Sequence, residues 1–410
     1  MFVRLYQDLI EESRFYFEKG DDKSMKQMWN KLRILYNSLK EKIDMLAVIF
    51  VNKIAPQLAE KKNFELFIPG YPNEMIHSVE SVMDVLETQQ HPRCVYIMSE
   101  SGQRFKFLLK GNEDLRFDER LMQFFQLING ILPAGLPQIE NDTYVATYAI
   151  VPLAKSVGLI QWFTGADTLH QLISENRDNH QTDRNAEANM INEMIGCNLV
   201  HQTLLQRYEL FEYIAKNFKA MELFESMWLR SPNAETWMRR SQKFTVSYAI
   251  MAMVGYIIGL GDRHPSNIMI QRSTGRVVHI DFDESFDSAS LRKSFPEKVP
   301  FRITRMIVNA FEGSKSTGLF QDICVKVMQL LRDNNSLLMA HLAIFAEETP
   351  DDFDKKSRDP KLLERCEKKL YGKEFGDEIS TAEDQVKKLI QIAEDPMNYL
   401  QHYPGWCPYW

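Results

Sequence analysis

The sequence predicts an α+β chain in two parts, a small antiparallel β-sheet region followed by a mainly helical one, with helices flanking both. Three observations lead there. Runs rich in β-branched and aromatic residues cluster between about residues 75 and 163, as at Cys94-Val-Tyr-Ile-Met98 and Arg104-Phe-Lys-Phe-Leu-Leu-Lys110. From Asp167 onward the chain reads as mostly helical, apart from one short hairpin. A length of 410 residues suits two or three domains. Such a chain buries about three quarters of its unfolded surface and needs no staples.

Residues 1–45 read as two helices. Leu9 and Tyr16 fit a first that stops at Gly20. The second starts near Asp21 or Asp22 and carries Trp29, Leu32, Tyr36 and Leu39 on one face. A helical pair alone cannot bury that face, so it needs a partner. Residues 46–163 hold the sheet. They include a turn at Pro69-Gly70, a hairpin across Ser99-Glu-Ser-Gly-Gln103 and a helix from Arg116 to Leu132. Two further strands run from Tyr144 to Leu153 and from Gly158 to Phe163. Residues 164–375 form the helical region, in which polar Ser174 to Asn192 reads as a flexible excursion. Asn267–Ile270 and Arg276–Asp281 flank Ser273-Thr-Gly275 as a hairpin, and the charged stretch Glu347–Glu374 covers a surface or links to the tail. Residues 376–410 close the chain with a helix to about Ala393, begun by a capping box of Ser380 and Glu383, and an aromatic tail.

Composition excludes several functions. With 49 basic against 56 acidic residues and a formal net charge of −7, no global field draws the chain to nucleic acid or anionic lipid. Phosphate must be held by local geometry. The five cysteines are scattered without a CxxC pair, which argues for a reducing compartment and against structural zinc. Met1 to Ile10 mixes Arg4 and Asp8 into its apolar pattern and does not read as a secretory signal. Phe244 to Gly261 carries no charge and meets the bare length for a membrane span. Its glycines, tyrosines and hydroxyls, and its ending in Asp262-Arg263-His264, favour a helix buried in a soluble core instead.

The cluster that carries chemistry is Gly259-Leu-Gly-Asp262-Arg-His264-Pro-Ser-Asn267, followed after the hairpin by His279-Ile-Asp281-Phe282. Phosphoryl transfer needs an acid–base group beside the attacking hydroxyl and oxygen ligands for a cation that bridges nucleotide phosphates. Asp262 and His264 supply the first, and Asn267 and Asp281, brought together by the hairpin, supply the second. Lys110 ends an apolar strand and can point its ammonium at phosphate, steadied by Glu113 or Asp118 just beyond. No Walker A motif and no GxGxxG is present. Backbone amides of Ser99 to Gly102 are a weaker phosphate contact.

GLGDRHPSN with HIDF resembles the kinase domain of the phosphatidylinositol-3-kinase-related protein kinases. FLLKGNEDLRFDERLMQ, GLIQWF, DTLH, FPEKVPFRITRM and the terminal GWCPYW are similar to the target-of-rapamycin branch. The resemblance spans essentially the whole chain. It implies a bilobal PI3K/PI4K-like protein kinase fold and an ATP-dependent serine/threonine kinase using Mg²⁺ or Mn²⁺. By the same resemblance Asp262 and His264 are catalytic, Asn267 and Asp281 hold the metal, and Lys110 with Glu113 or Asp118 binds phosphate. Trp162 and Phe163 match the hinge that stacks on adenine and reads its edge. Leu108, Tyr148, Ile160, Met269 and Ile280 match the apolar lining of the nucleotide pocket, though plain core packing fits these five equally well.

The flanks match too. Leu5 to Ile43 resembles the second half of the rapamycin-binding helical domain. Its first half is missing and Asn30 stands where aspartate is usual, which argues against binding of the rapamycin–immunophilin complex. Asn198 to Asn217, within an insertion at about 175–217, resembles the segment that docks a seven-bladed β-propeller subunit. Phe282 to Met306 corresponds to the activation loop, and Ser380 to Trp410 to the short FATC segment. In the family such a tail touches membranes or packs on the kinase core. The implied setting is the cytoplasm, peripheral on endomembranes where the tail makes contact, with protein substrates.

Three positions depart from the family pattern. Asp283 stands where glycine follows Asp-Phe, which bears on loop mobility or adds a third carboxylate near the metal. Glu100 places a negative charge in the phosphate hairpin, and it repels ATP unless it faces solvent. His402 replaces a tail cysteine, so Cys407 has no local partner for a disulfide. A phosphoinositide lipid kinase and a pseudokinase scaffold remain the alternatives. The activation loop argues against the former, since its Arg292, Lys293 and Lys298 face Asp283, Glu284, Asp287 and Glu297.

Overall fold

Alternation of apolar and polar residues builds the sheet. The computed structural model describes residues 7, 10, 13, 14, 22–44, 47–88, 90–196, 202–311, 315–347, 361–376 and 378–410. Two compact units emerge, Met1–Leu115 with Ala149–Trp162, and Arg116–Tyr148 with Phe163–Trp410. The first N-terminal helix expected around Leu9 and Tyr16, Asn198 of the insertion, Cys197 and part of the charged stretch after Glu347 lie outside the described residues.

The smaller unit carries strands β1 (Val48–Phe50), β2 (Phe67–Ile68), β3 (Tyr71–Val79), β4 (Val82–Val85), β5 (Arg93–Ser99), β6 (Arg104–Gly111), β7 (Ile150–Ala154) and β8 (Val157–Gln161). They pair antiparallel in the order β1-β4-β5-β6-β8-β7, with β3 also on β5 and β2 on β3. On one face Val95, Ile97, Phe105 and Phe107 bury against Val51, Ile68 and Met83, with Leu109 and Leu159 packed alongside. Period two then turns Lys106, Leu108 and Lys110 to the opposite face. The register sets Leu108 opposite Ile160 and Lys110 opposite Gly158. The helix Asp22–Asp44 starts where expected. Of its stripe, Trp29 is 58% exposed and Tyr36 62%, and Leu32 is exposed too, while Leu35 is buried.

Two sequence expectations change at this boundary. The strand expected from Tyr144 begins only at Ile150. Upstream of it, Val145 exchanges both backbone hydrogen bonds with one side chain: the Asn129 amide donates to its carbonyl at 2.8 Å and accepts from its N–H at 3.0 Å. That amide takes the place of a ladder partner. Consequently residues 116–148, which the sequence boundary at 163 assigned to the sheet region, pack with the larger unit.

In the larger unit the helix Ala234–Ile257 buries every residue from Phe244 to Ile257. The helix Leu319–Asp333 lies against it, and Cys324 donates to the Ala249 carbonyl at 3.8 Å. No described helix is long and apolar enough to cross a membrane. Strands β9 (Ala166–Thr168), β10 (Ile268–Gln271) and β11 (Val277–His279) form a second antiparallel sheet in the order β11-β10-β9. The expected hairpin is therefore present, joined by a strand the sequence did not announce.

The excursion expected at Ser174–Asn192 is instead two helices, Leu169–Asn179 and Ala186–Ile195. Arg177, its side chain 1% exposed, pairs with Glu187 at 2.7 Å and with Glu222 at 2.8 Å. A polar composition reads as loop, but here the polar groups satisfy one another inside. The tail helix runs Ala382–Glu394, and its cap is Thr381, whose hydroxyl accepts from the Asp384 N–H at 3.1 Å. Ser380 donates to the Gly372 carbonyl at 2.9 Å instead. The expected box was one residue out of register.

Candidate active site

In the smaller unit Lys110 forms an ion pair with Glu113 at 2.8 Å, both side chains half-buried. Sequence spacing had offered Glu113 and Asp118 as carboxylates near it; Asp118 stands in the first turn of the helix Arg116–Gly135, in the larger unit. Leu108, Ile160 and Trp162 share the half-buried face of the sheet with Lys110. The Lys106 ammonium sits 3.7 Å from the centre of the Trp162 ring, so one face of that indole already carries a cation. Glu100 is exposed at the tip of the β5–β6 hairpin, its N–H bonded to the Met75 carbonyl at 3.0 Å. It faces solvent, which removes the expected clash with phosphate.

In the larger unit the chemistry-bearing loop begins where the buried helix stops. Gly259, at φ +56°, ends that helix. Its hydrogen Cα face is crowded by Asp287, whose Oδ1 lies 2.3 Å from where a Cβ would stand. Residues 284–287 then run alongside. Phe286 donates to the Ile258 carbonyl at 2.6 Å, and Gly261 donates to that of Glu284 at 2.7 Å. The Asp262 N–H donates to the Glu297 carboxylate at 2.9 Å.

Asp262 (φ +56°) and Asp281 (φ +61°) both lie in the left-handed region, which aspartate tolerates better than most residues. Asp283, where glycine was expected for that reason, does not. Both candidate carboxylates thus stand on left-handed backbone, as do Phe286 and Asp287 further along. Asp283 is exposed, and its N–H reaches the Asp281 carboxylate at 3.4 Å.

Arg263 ties the loop to the strand that carries Asp281. Its buried guanidinium donates to the carbonyls of Gly261 at 2.7 Å and Ile280 at 2.9 Å, and to that of Asp281. Asn267 is buried and donates its amide to the Asp262 carbonyl at 3.0 Å, while its own carbonyl accepts from the Ile280 N–H at 3.1 Å. Asn267 and Asp281 are thereby held on neighbouring strand ends. Ile280 follows the end of β11, Met269 sits on β10 opposite Val278, and Tyr148 is buried with its hydroxyl pKa raised by burial and, next, by Asp118. Phe163 is half-buried just before β9.

His264 accepts from the Ser266 N–H at Nδ1, 3.2 Å away, which leaves the proton of a neutral ring on Nε2. Burial lowers its pKa, opposed by Asp262 and reinforced by Arg263, so the neutral form prevails near pH 7. Burial likewise pushes the Glu297 carboxyl up to about 7, against the bond from the Asp262 N–H.

The donor set suits a hard cation. The amide nitrogen of Asn267 is committed to Asp262, which leaves its Oδ1 and the Asp281 carboxylate as oxygen ligands. Among the described residues no three His, Cys, Asp or Glu converge into a cage. Sparse protein ligation with phosphate and water completing the shell is the habit of Mg²⁺. No third carboxylate is gathered here, so the metal role foreseen for Asp283 is not supported.

The tail closes over this region. The helix Leu204–Asn217 packs Leu210, Phe211 and Ile214 against Tyr399, Leu400, Trp406 and Tyr409. Arg302, 2% exposed, donates to the carbonyls of Trp406 at 2.5 Å and Cys407 at 2.9 Å. His402 accepts the Lys298 N–H at 3.1 Å, and burial pushes its pKa down to about 3. Cys407 is a free thiol. Tyr403 donates its hydroxyl to Asp262 Oδ1 at 2.9 Å. Sequence reading gave no role to Arg263, Glu297, Arg302 or Tyr403. Arg263 lies inside the quoted motif, but nothing in the sequence announces Glu297 and Tyr403 as neighbours of Asp262, or Arg302 as the residue that holds the tail.

A sheet unit bearing a lysine–glutamate pair and a helical unit bearing an Asp-Arg-His loop beside an Asn/Asp hairpin define the class, a two-lobed α+β kinase fold. Residues 104–351 match the family model "Phosphatidylinositol 3- and 4-kinase", and residues 380–410 match "FATC domain". The chain belongs to the phosphatidylinositol 3- and 4-kinase family and carries a FATC segment at its end.

Among curated relatives, the "Target of rapamycin homolog" of Caenorhabditis elegans is 34% identical over 445 residues, covering 98% of this chain and 16% of that protein. "Serine/threonine-protein kinase TOR2" of Saccharomyces cerevisiae is 34% identical over 462 residues, covering 100% of this chain and 19% of that protein. The chain thus spans under a fifth of either length. The solved structure "FAT and kinase domain of CtTel1" superposes with a TM-score of 0.71 at 24% identity, over 85% of this chain and 25% of that one. That likeness speaks for the fold alone.

Proposed function

We propose that this chain is the catalytic region of an ATP-dependent serine/threonine protein kinase of the target-of-rapamycin type. The observation that carries the reading is the cluster of Asp262, His264, Asn267 and Asp281 on one loop and one hairpin, buttressed by buried Arg263. A substrate hydroxyl oxygen attacks the γ-phosphorus of ATP, the bond to the β-bridging oxygen breaks, ADP leaves, and the hydroxyl proton passes to Asp262. Nε2 of His264, the protonated nitrogen, donates to the transferring phosphoryl oxygens. Lys110, steadied by Glu113, neutralises nucleotide phosphate. Asn267 Oδ1 and Asp281 would hold Mg²⁺ or Mn²⁺, which supplies charge neutralisation when bound. Trp162 and Phe163 would contact adenine, with Leu108, Tyr148, Ile160, Met269 and Ile280 as apolar lining. Positioning and preorganised charge carry most of the rate.

The chain is proposed to act in the cytoplasm or at endomembrane surfaces, which suits its free thiols Cys94, Cys324, Cys366 and Cys407. A propeller subunit would take the outward face of Leu204–Asn217, where Leu205 and Tyr213 are exposed. Membrane contact through the tail finds less support, because Tyr399, Trp406, Tyr409 and Trp410 are buried. A lipid substrate is disfavoured by Arg292, which is engaged by Glu284 at 3.1 Å and not presented to inositol phosphates.

Labelled ATP offered with a serine/threonine peptide, or with phosphoinositide vesicles, tests the reading. Peptide labelling that Asp262→Ala and Asp281→Ala each abolish supports it. Labelling of lipid alone overturns it in favour of a lipid kinase. No labelling, with no thermal shift at saturating Mg·ATP, overturns it in favour of a scaffold.

A further inference from the structure

We infer that Tyr403 of the C-terminal tail is a positioning residue for the Asp262 carboxylate, which makes the tail a working part of the phosphotransfer site. The inference rests on the reading of Asp262 as the group that receives the substrate proton.

The two carboxylate oxygens of Asp262 are not equivalent. Oδ1 accepts the Tyr403 hydroxyl at 2.9 Å and lies 3.9 Å from the Arg292 guanidinium. Oδ2 has no hydrogen-bond partner among the described residues, so it is the oxygen open to a substrate hydroxyl. A carboxylate turns readily about its last side-chain bond, and a donor on one oxygen fixes where the other points. Without the phenol, the nearest cation able to draw the carboxylate round is Arg292, which already bridges Glu284 at 3.1 Å and stands 3.9 Å from Glu297. Tyr403 therefore keeps the Arg292 contact long and confined to Oδ1, which leaves Oδ2 directed at substrate.

The tail is built to keep the phenol there. Arg302 holds the carbonyls of Trp406 and Cys407, and His402 is anchored on the Lys298 N–H at 3.1 Å. The Tyr403 carbonyl accepts from the Trp406 N–H at 3.0 Å. Gly405 leaves room for the ring: a Cβ there would stand 2.7 Å from Tyr403 Cε2. Its backbone is not in the left-handed region, so alanine at 405 would push the ring without straining the chain.

The test uses the full chain with Mg·ATP and a serine/threonine peptide. Tyr403→Phe removes one oxygen. It is expected to lower kcat about ten- to a hundredfold, the loss of one hydrogen bond to a charged group, with KM for ATP unchanged. Gly405→Ala is expected to lower kcat in the natural background and to do nothing further in the Tyr403→Phe background, because both act through one hydroxyl. Tyr399→Phe, a change in the same packed tail away from Asp262, should leave kcat unaltered. Turnover of Tyr403→Phe at or above the natural rate overturns the inference, as does full additivity with Gly405→Ala. An Asp262→Ala chain as active as the natural one overturns the underlying reading, a result distinct from any seen at Tyr403.

Discussion

Replacing Arg302 by methionine tests how the tail is held. The change keeps an unbranched side chain of similar length and removes the guanidinium. Two strong bonds go, to the carbonyls of Trp406 at 2.5 Å and Cys407 at 2.9 Å, together with the stacking of the guanidinium 4.3 Å from the Trp406 ring. Hydrogen bonds to a charged group contribute about 1.5–3 kcal/mol each, and a desolvated cation–π contact up to about 2. Against this stands the burial of the cation. Burial lowers the Arg302 pKa, and its Nε finds no partner among the described residues. Desolvation therefore offsets part of the gain, and a net loss of about 2–4 kcal/mol is expected. Urea denaturation measures the loss, and hydrogen exchange should show faster exchange at residues 400–410. Lysine keeps the charge but not the fork, so Arg302→Lys should fall between. A methionine variant of natural stability, with tail amides equally protected, would refute this account of the tail.

Two further outcomes are expected. Arg177→Met strands the buried Glu187 carboxylate, now paired at 2.7 Å, and should destabilise the larger unit by about 3–5 kcal/mol in the same denaturation assay; a loss below about 1 kcal/mol would mean the pair contributes little. Glu297 carries a carboxyl raised from 4.5 to about 7, so the folded state holds a proton that the unfolded state has released in that window. Stability should then fall as pH rises from about 4.5 to 7, by about 3 kcal/mol in all, and level off above. Glu297→Gln, whose amide oxygen still accepts the Asp262 N–H, should flatten that slope. Identical pH profiles for the two chains would count against the buried acid.

The parts of the site that sequence made legible are those close in the chain. Asp262, His264 and Asn267 lie within one turn of loop, and the hairpin needs only strand alternation and a Thr-Gly turn to bring Asp281 back. Lys110 and Glu113 are three residues apart and meet as a local pair. Polar runs misled where satisfaction came from far away. Ser174–Asn192 looked like loop because Arg177 and Glu187 are charged, yet Arg177 also reaches Glu222, 45 positions on. Tyr144 to Ala149 looked like strand because its residues are apolar, yet the ladder partner is the side chain of Asn129.

By itself, then, the sequence determined the two-part α+β order, the hairpin between Asn267 and Asp281, the family and the residues proposed to carry phosphotransfer, since periodicity, turn chemistry and motif spacing are local properties of the chain. Tertiary structure alone decided that Arg263 buttresses the hairpin, that Glu297 receives the Asp262 N–H, and that Tyr403, 141 residues away, grips the same aspartate. Such contacts form only when buried donors and acceptors from distant segments must satisfy one another out of water. No local pattern records which distant partner will be there.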